Sequence, residues 1–333
     1  MKMFTKLALV SSMAISANAM AMQSMDDAAL SAATGQDGIN IGIGISKIEI
    51  AKVLVHDNDG LVYSGTAPTA GQAGFGGTGN AGAIVIKENG TGATATNGIV
   101  ITANPAALLP SHNLADIVID TDAGTGTNGA FLNVAAEVSG LNIAIGEIGV
   151  SESNTATTSV RRGADEANNY NAILSGLTLT TGQMTANVQL GAAPQGAMIV
   201  LNTSMTGGLE ITDLGILDNS TKLGTGATTG SGNRAAGEIR LDSIKVADAN
   251  GADLTVNAKV SVVGESDAGK GYLRIITGSG ATTPATDIYI KGVHLGSATA
   301  GSIGDVEVQG MQTYYSPSAG TYVPGAVITI SGH

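Results

Sequence analysis

The sequence predicts an all-β protein, and three observations carry that prediction. Ile and Val recur in alternating runs such as "INIGIGISKIEI". Gly, Thr, Ala, Asn and Ser crowd the stretches between those runs, with 48 Gly in 333 residues. Long segments of helix-forming charged residues are nearly absent. β-branched residues in alternation fit a pleated surface, and Gly and Asn clusters supply the turns between strands. An apolar content of 43%, gathered into strand-like runs, excludes a disordered chain.

The chain opens on features of an export signal. Lys2 and Lys6 give a positive start, Leu7 to Ile15 form a short apolar stretch, and Ala17, Asn18 and Ala19 supply small residues for cleavage. A secretory signal peptide is expected over 1–19, with cleavage after Ala21 as the alternative. The apolar stretch falls short of the roughly 20 residues that span a bilayer, and no later run reaches that length. The expectation is an exported chain that does not cross a membrane and resides in the periplasm, on the outer membrane surface or outside the cell. Residues 20–38 follow as an acidic helix and turn. Ser24 can cap, Asp26 and Asp27 favour the positive helix start, and Gly35 suits a left-handed end, giving a helix over about 25–33.

Residues 39–333 read as a single β domain, with a sub-boundary conceivable near 151–171. Its strands carry a recurrent irregularity. Two apolar residues alternate, two positions are skipped, and two more apolar residues follow: Ile48, Ile50, Val53, Val55; Ile143, Ile145, Ile148, Val150; Leu209, Ile211, Leu214, Ile216; Ile239, Leu241, Ile244, Val246; Ile288, Ile290, Val293, Leu295. Val306, Val308 and Met311 make a truncated copy. In a flat strand the skip sends the second pair to the opposite face, so one common core requires a bulge or corner between the pairs. The skipped residues suit a corner: Gly146 and Glu147, Thr212 and Asp213, Asp242 and Ser243, Lys291 and Gly292, Gln309 and Gly310. Repeated corners predict an elongated β-solenoid, roll or prism-like stack. The copies are irregularly spaced, by 95, 66, 30, 49 and 18 residues, with Gly/Thr/Asn-rich loops at 64–82, 88–97, 151–171 and 219–236 between them. The alternative is an antiparallel β-sandwich, supported by Asn250-Gly251, which stands between two alternating runs as a type I′ hairpin turn does.

The chemical vocabulary is sparse. Absence of Cys excludes a disulfide framework and a thiolate metal site. Loss of Lys2 and Lys6 with the signal leaves 27 acidic against 13 basic residues, a net charge of −14, which argues against nucleic acid and fits solubility. Four His (His56, His112, His294, His333) and no G-x-S-x-G, H-E-x-x-H or P-loop signature argue against an enzyme. Gly77, Gly79 and Gly82 match G-x-G-x-x-G without a leading strand or a following helix, so they read as a loop.

No cofactor is expected, although calcium has weak candidates in the acidic turns: Asp57 and Asp59, Asp120 and Asp122, Asp248 and Asp253. The same residues serve tight turns without metal. Three Phe and no Trp count against a sugar-stacking lectin. Tyr314, Tyr315 and Tyr322 form the one aromatic cluster, either a half-exposed strand edge or a contact patch for a partner. The final run "AVITISGH" can pair within its own domain or add to a neighbouring sheet.

The segment "MDDAALSAATGQDGINIGIGISKIEIAKV" resembles the start of FilA-type pilus assembly proteins of Gram-negative bacteria, most specifically over residues 25–50. The resemblance implies a periplasmic or cell-surface structural or adhesion-related protein tied to pilus or fimbria production. Its partners would be other surface-assembly proteins or further copies of itself, and no catalytic residue carries over. A soluble secreted binding module, for a glycan or a calcium-dependent partner, is the alternative.

Overall fold

The computed structural model describes residues 38–63, 65–125, 129–224, 232–264, 271–278 and 284–332. The expected signal peptide and the helix over 25–33 lie outside the described residues. One compact unit runs from Asn40 to the end of the chain, continuing through 151–171.

The described chain is built of strands, with only single turns of 3-10 helix between them, and it visits two antiparallel sheets in turn. β1 (Ile39–Ile43) starts the eight-stranded sheet. β2 (Lys47–Ile50), β3 (Val53–His56), β4 (Gly82–Lys87) and β5 (Ile99–Ala103) start the eleven-stranded sheet. β6 (Ala115–Asp122) and β7 (Phe131–Val138) return to the first; β8 (Leu141–Ile145), β9 (Glu147–Glu152) and β10 (Tyr170–Thr180) lie in the second. The alternation continues with β11 (Met184–Gly191) and β12 (Ile199–Met205), then β13 (Leu209–Asp218) and β14 (Gly237–Asp248). It ends with β15 (Leu254–Gly264) and β16 (Gly271–Thr277), β17 (Thr286–Leu295) and β18 (Val306–Met311), a two-residue ribbon of β19 (Tyr314–Tyr315) and β20 (Val323–Pro324), and β21 (Ala326–Ile330) in the first sheet. The order in the smaller sheet is β1-β6-β7-β11-β12-β15-β16-β21. The main path of the larger is β18-β17-β14-β13-β10-β8-β5-β2, with β3, β4 and β9 branching from β10.

Antiparallel pairing is what a sandwich-like architecture requires, and successive strands do not pile up as the parallel coils of a solenoid. Asn250-Gly251 is also reassigned. Asn250 takes a positive φ of 62°, as a turn residue does, yet the strands on either side leave for different sheets. β14 has β13 on one side and β17 on the other, so no edge is left for β15. The turn is therefore an arch between sheets instead of a hairpin.

Every passage between sheets lies at the same end of the strands, so the two sheets meet along one seam. The passages bond to one another. The Asn104 amide donates to Gly140 O (2.7 Å), the Gly140 amide to Ala107 O (2.6 Å) and the Asn104 side-chain amide to Thr181 O (3.0 Å). Ser139, wholly buried, donates to Asn113 O (2.6 Å) and accepts from the Leu109 amide (3.0 Å). Each sheet has one aliphatic face. Ile119, Val134, Val188, Ile199, Val260, Ile275 and Ile328 form an unbroken row across the smaller sheet. Ile48, Ile101, Ile143, Leu179, Ile211, Ile244, Ile290 and Val306 do so across the larger. Met205, Ala247 and Ala258 near the seam are buried, whereas Val262, Ile330, Val55 and Leu295 at the far ends are exposed; beyond the corner, Ala83 and Val85 on the opposite face of β4 are buried again.

The skip in the apolar pattern is a corner in the larger sheet. It divides β2 from β3 and β8 from β9, and bends β13, β14 and β17 along one line. Gly98 donates to Ala51 O (2.9 Å) and Gly146 to Gly98 O (2.8 Å) along that line, where Asp213 and Gly292 have positive φ of 60° and 64°. The first three apolar members of each full copy counted from the seam are half-buried, but the outermost is exposed in every case: Val55, Val150, Ile216, Ile239 and Leu295. Of the four members expected to face one core, three are thus half-buried and the outermost is exposed.

Candidate functional site

Acidic side chains pin the corner, Asp213 and Asp242 at skipped positions and Asp305 beside Gly292, while Asp287 does the same near the seam. Asp213, next to the bend in β13, pairs with Arg240 of β14. Asp242 lies 3.2 Å from His294 Nε2. Asp305 accepts from the Gly292 amide (2.8 Å) and the Tyr289 hydroxyl (2.6 Å), and Asp287 accepts from the Gly310 amide (2.7 Å) and the Asn250 amide (2.9 Å). These bonds hold the Asp305 and Asp287 carboxyls below the ordinary carboxylate range: the Tyr289 bond leads for Asp305, and the Gly310 bond for Asp287. Asp116 is lowered likewise by Ser111 and Asn113.

His294 moves the other way. Its Nδ1 contacts Ala300 O at 2.6 Å, and that bond, followed by Asp242, raises its pKa against the opposing effects of desolvation and Arg240. The protonated ring donates from Nδ1 to Ala300 O and sets its positive charge 3.2 Å from the Asp242 carboxylate at Nε2. Its stabilisation is therefore fully present below the unfolded pKa of about 6.5 and is lost as pH rises through the folded value. His294→Gln is expected to lower the melting temperature most near pH 5 and least near pH 8, a convergence that thermal melts across pH will check.

Two cavities line this corner, on either side of the loop 88–97. The larger, about 1160 Å³, lies over Leu54 and His56 and is lined on one side by the segment 160–166. Lys52 reaches Glu166 (2.5 Å) and Arg162 Nη1 reaches Asn58 Oδ1 (2.6 Å), fastening that segment over β3. Glu49, Glu88 and Arg161 add further charge to its wall. His56 Nδ1 lies 2.7 Å from Ser153 Oγ, whose hydroxyl donates to Gly82 O (2.7 Å). Ser153 therefore accepts from His56 Nδ1–H and has its own proton committed to a carbonyl, an arrangement that anchors the ring instead of activating a nucleophile. The smaller cavity, about 590 Å³, is lined by Asn89, Glu147, Asp213, Glu238 and Arg240. Asn89 organises its loop by accepting from the Thr91 amide (3.0 Å) and the Thr94 hydroxyl (2.8 Å). Between the cavities Lys87 Nζ stands 3.6 Å above the Tyr170 ring and 3.7 Å from Glu147. Burial, then Glu147, pushes the Tyr170 phenol well above its usual range. Such walls can hold a polar ligand by ion pairs and hydrogen bonds.

The calcium candidates stay apart. Asp57 and Asp59 share the loop after β3, where Asp57 Oδ1 lies 3.4 Å from the Asp59 amide. Asp120 lies on β6, and Asp122 caps its own turn by accepting from the Gly124 amide (2.6 Å). Asp248 accepts from the Thr255 amide and hydroxyl (2.9 and 2.7 Å), and Asp253 from the Gly207 amide (2.8 Å), both at the seam. Among the described residues no group of three or more His, Asp or Glu is placed to hold a metal ion. Tyr314 and Tyr315 form β19 against β20, with Tyr314 and Tyr322 exposed. The Gly77, Gly79, Gly82 motif is a loop entering β4, with no helix after it. No helix among the described residues is long and apolar enough to cross a membrane. The corner pins and the Lys87, Glu147 and Tyr170 cluster escape sequence reasoning. Their one local signal is an acidic residue at the skip, since the partners lie up to 83 positions apart in the chain, as Lys87 and Tyr170 do.

A family model described as a family of unknown function (DUF6160) matches residues 1–262, reaching from the start of the chain into β15. No curated protein and no solved structure matches the chain.

Proposed function

The chain belongs to DUF6160, a family of unknown function, and we propose that it is an exported, non-catalytic structural protein of the cell surface, associated with pilus or fimbria assembly. The observation that carries this reading is that both sheets end in open strands. β18 is exposed along its whole length and β21 along most of it, with aliphatic side chains and, among the described residues, one backbone edge each that no other strand takes. Unpaired strand edges are templates for another chain. Export rests on the leader-like residues 1–19, and the tie to pili rests on the similarity of residues 25–50 to FilA-type proteins. Fractionation with an antibody against the β domain is expected to find the protein in the periplasm or at the cell surface, with surface fibres diminished in a deletion strain. A cytoplasmic signal sinks the reading.

A second reading, a soluble binding module, is favoured by the 1160 Å³ cavity beside the corner with its charged wall. Saturable binding of a glycan by purified monomer, abolished by Arg162→Ala, would favour it over the first.

A further inference from the structure

We infer that copies of this chain join head to tail, the last strand of each sheet in one copy pairing with the first strand of the same sheet in the next. The inference gives the structural reading above a partner and rests on that reading for its purpose, while its geometry rests on the strands alone.

Strand direction is the first support. Measured from the seam, β1 runs inward and β21 outward at the two edges of the smaller sheet; β2 runs outward and β18 inward at the edges of the larger path. Each path holds an even number of alternating strands, so its two edges are mutually antiparallel. A second copy placed beyond β18 and β21 therefore offers β2 running against β18 and β1 running against β21. Both sheets continue their antiparallel order at one junction, which a sheet with an odd strand count does not allow.

Register and charge are the second support. The row beside the aliphatic ladder of the larger sheet reads Lys47, Thr102, Asn142, Thr180, Glu210, Lys245, Tyr289, Glu307. Continuing it into the next copy sets Lys47 of that copy opposite Glu307, an opposite-charge pair, and Ile48 opposite Val306, extending the aliphatic row. One step further from the seam Glu49 meets Asp305; Lys47 is shared between Glu49 of its own strand and Glu307 across the junction, and Asp305 is held by the Tyr289 hydroxyl and the Gly292 amide. Two β18 strands meeting each other instead would bring Asp305 and Glu307 against their own kind, so the symmetric junction is the disfavoured one. In the smaller sheet Ile328 and Ile330 meet a strand with Ile41 and Ile43 in alternation. A junction of two different surfaces leaves a free edge on each side, so copies add on until the rotation between them closes a ring or, where it does not close, a filament grows.

The chain's lack of cysteine gives a direct test. In one copy positions 47 and 307 stand seven strand spacings apart along the path, roughly 34 Å at about 4.8 Å each, far beyond the ~7 Å between Cα atoms that a disulfide allows. Any disulfide between them must join two copies. The purified chain carrying Lys47→Cys and Glu307→Cys is expected to oxidise to a covalent ladder of dimers, trimers and longer species on a denaturing gel, while each single variant runs there as a single chain. Adding Val306→Lys and Val308→Lys, on the exposed edge strand, is expected to cut ladder formation about tenfold or more. A double variant that stays monomeric, or a Glu307→Cys single variant that dimerises as readily, overturns the inference. Ladder formation by a protein that fractionation finds in the cytoplasm would sink the surface role and leave head-to-tail joining intact.

Discussion

Val85→Asp is expected to unfold the outer part of the larger sheet, at a cost of about 4 kcal/mol or more. Val85 is fully buried on β4, opposite Leu54 of β3 and Gly149 of β9, on the face that the segment 152–169 covers. A carboxylate there loses its water, and the residues directly across from it, Leu54 and Gly149, offer no side-chain hydrogen bond in return. Ile84, one residue earlier, points to the other face and is 47% exposed. Ile84→Asp is therefore expected to cost less than about 1 kcal/mol. Urea unfolding of the two variants checks the contrast, and equal midpoints would mean that the faces of β4 are assigned wrongly.

Gly146→Ala should cost about 2–4 kcal/mol although it adds a single methyl group. Gly146 stands at the corner between β8 and β9, where a Cβ would run into the Lys87 carbonyl and press on the Asn89 amide. Relief requires moving the very backbone that donates to Gly98, so the bend itself is strained. Gly264, at the end of β15, has open space around its missing Cβ. Gly264→Ala is expected to change stability by less than about 0.5 kcal/mol, or to raise it slightly by restricting the unfolded chain. Differential scanning calorimetry of the pair separates a corner effect from a general effect of losing glycine.

The corner was legible because its signal is local: a skip of two in an alternating run, with Gly or Asp in the gap, can be read within eight residues. The loops at 64–82, 88–97, 151–171 and 219–236 were legible for the same reason: their described residues lie between strands, except that β9 and β10 each take two residues of 151–171 and β4 takes Gly82. What the skip could not reveal is how far burial extends. Ile148 and Val150 look alike in sequence, yet Val150 lies farther from the seam and is 39% exposed. Asn250-Gly251 misled because its positive φ serves a hairpin and an arch equally well. The difference is set by β17, which takes the edge of β14 and lies 38 residues downstream of the turn at Ile288. The choice between a solenoid and a sandwich-like pair was hidden in the same way. Copies of the corner occur only in the larger sheet, and the hairpins of the smaller sheet between them make their spacing irregular.

The seam has a consequence for the order in which the molecule can be made. Many strands adjacent in a sheet are separated in the chain only by a short set of strands laid down in the other sheet, as β12 and β15 are by β13 and β14, and the rest by at most a few strands of either sheet. No strand must wait for the far end of the chain to find its neighbour. Each hairpin adds to an edge completed just before it, so contacts that are long-range by residue count are sequential by assembly step, as in repeat arrays. A chain built this way can fold from its first strands onward as it emerges from a narrow passage, laying one hairpin on each sheet in turn. At every stage the growing end is an open edge.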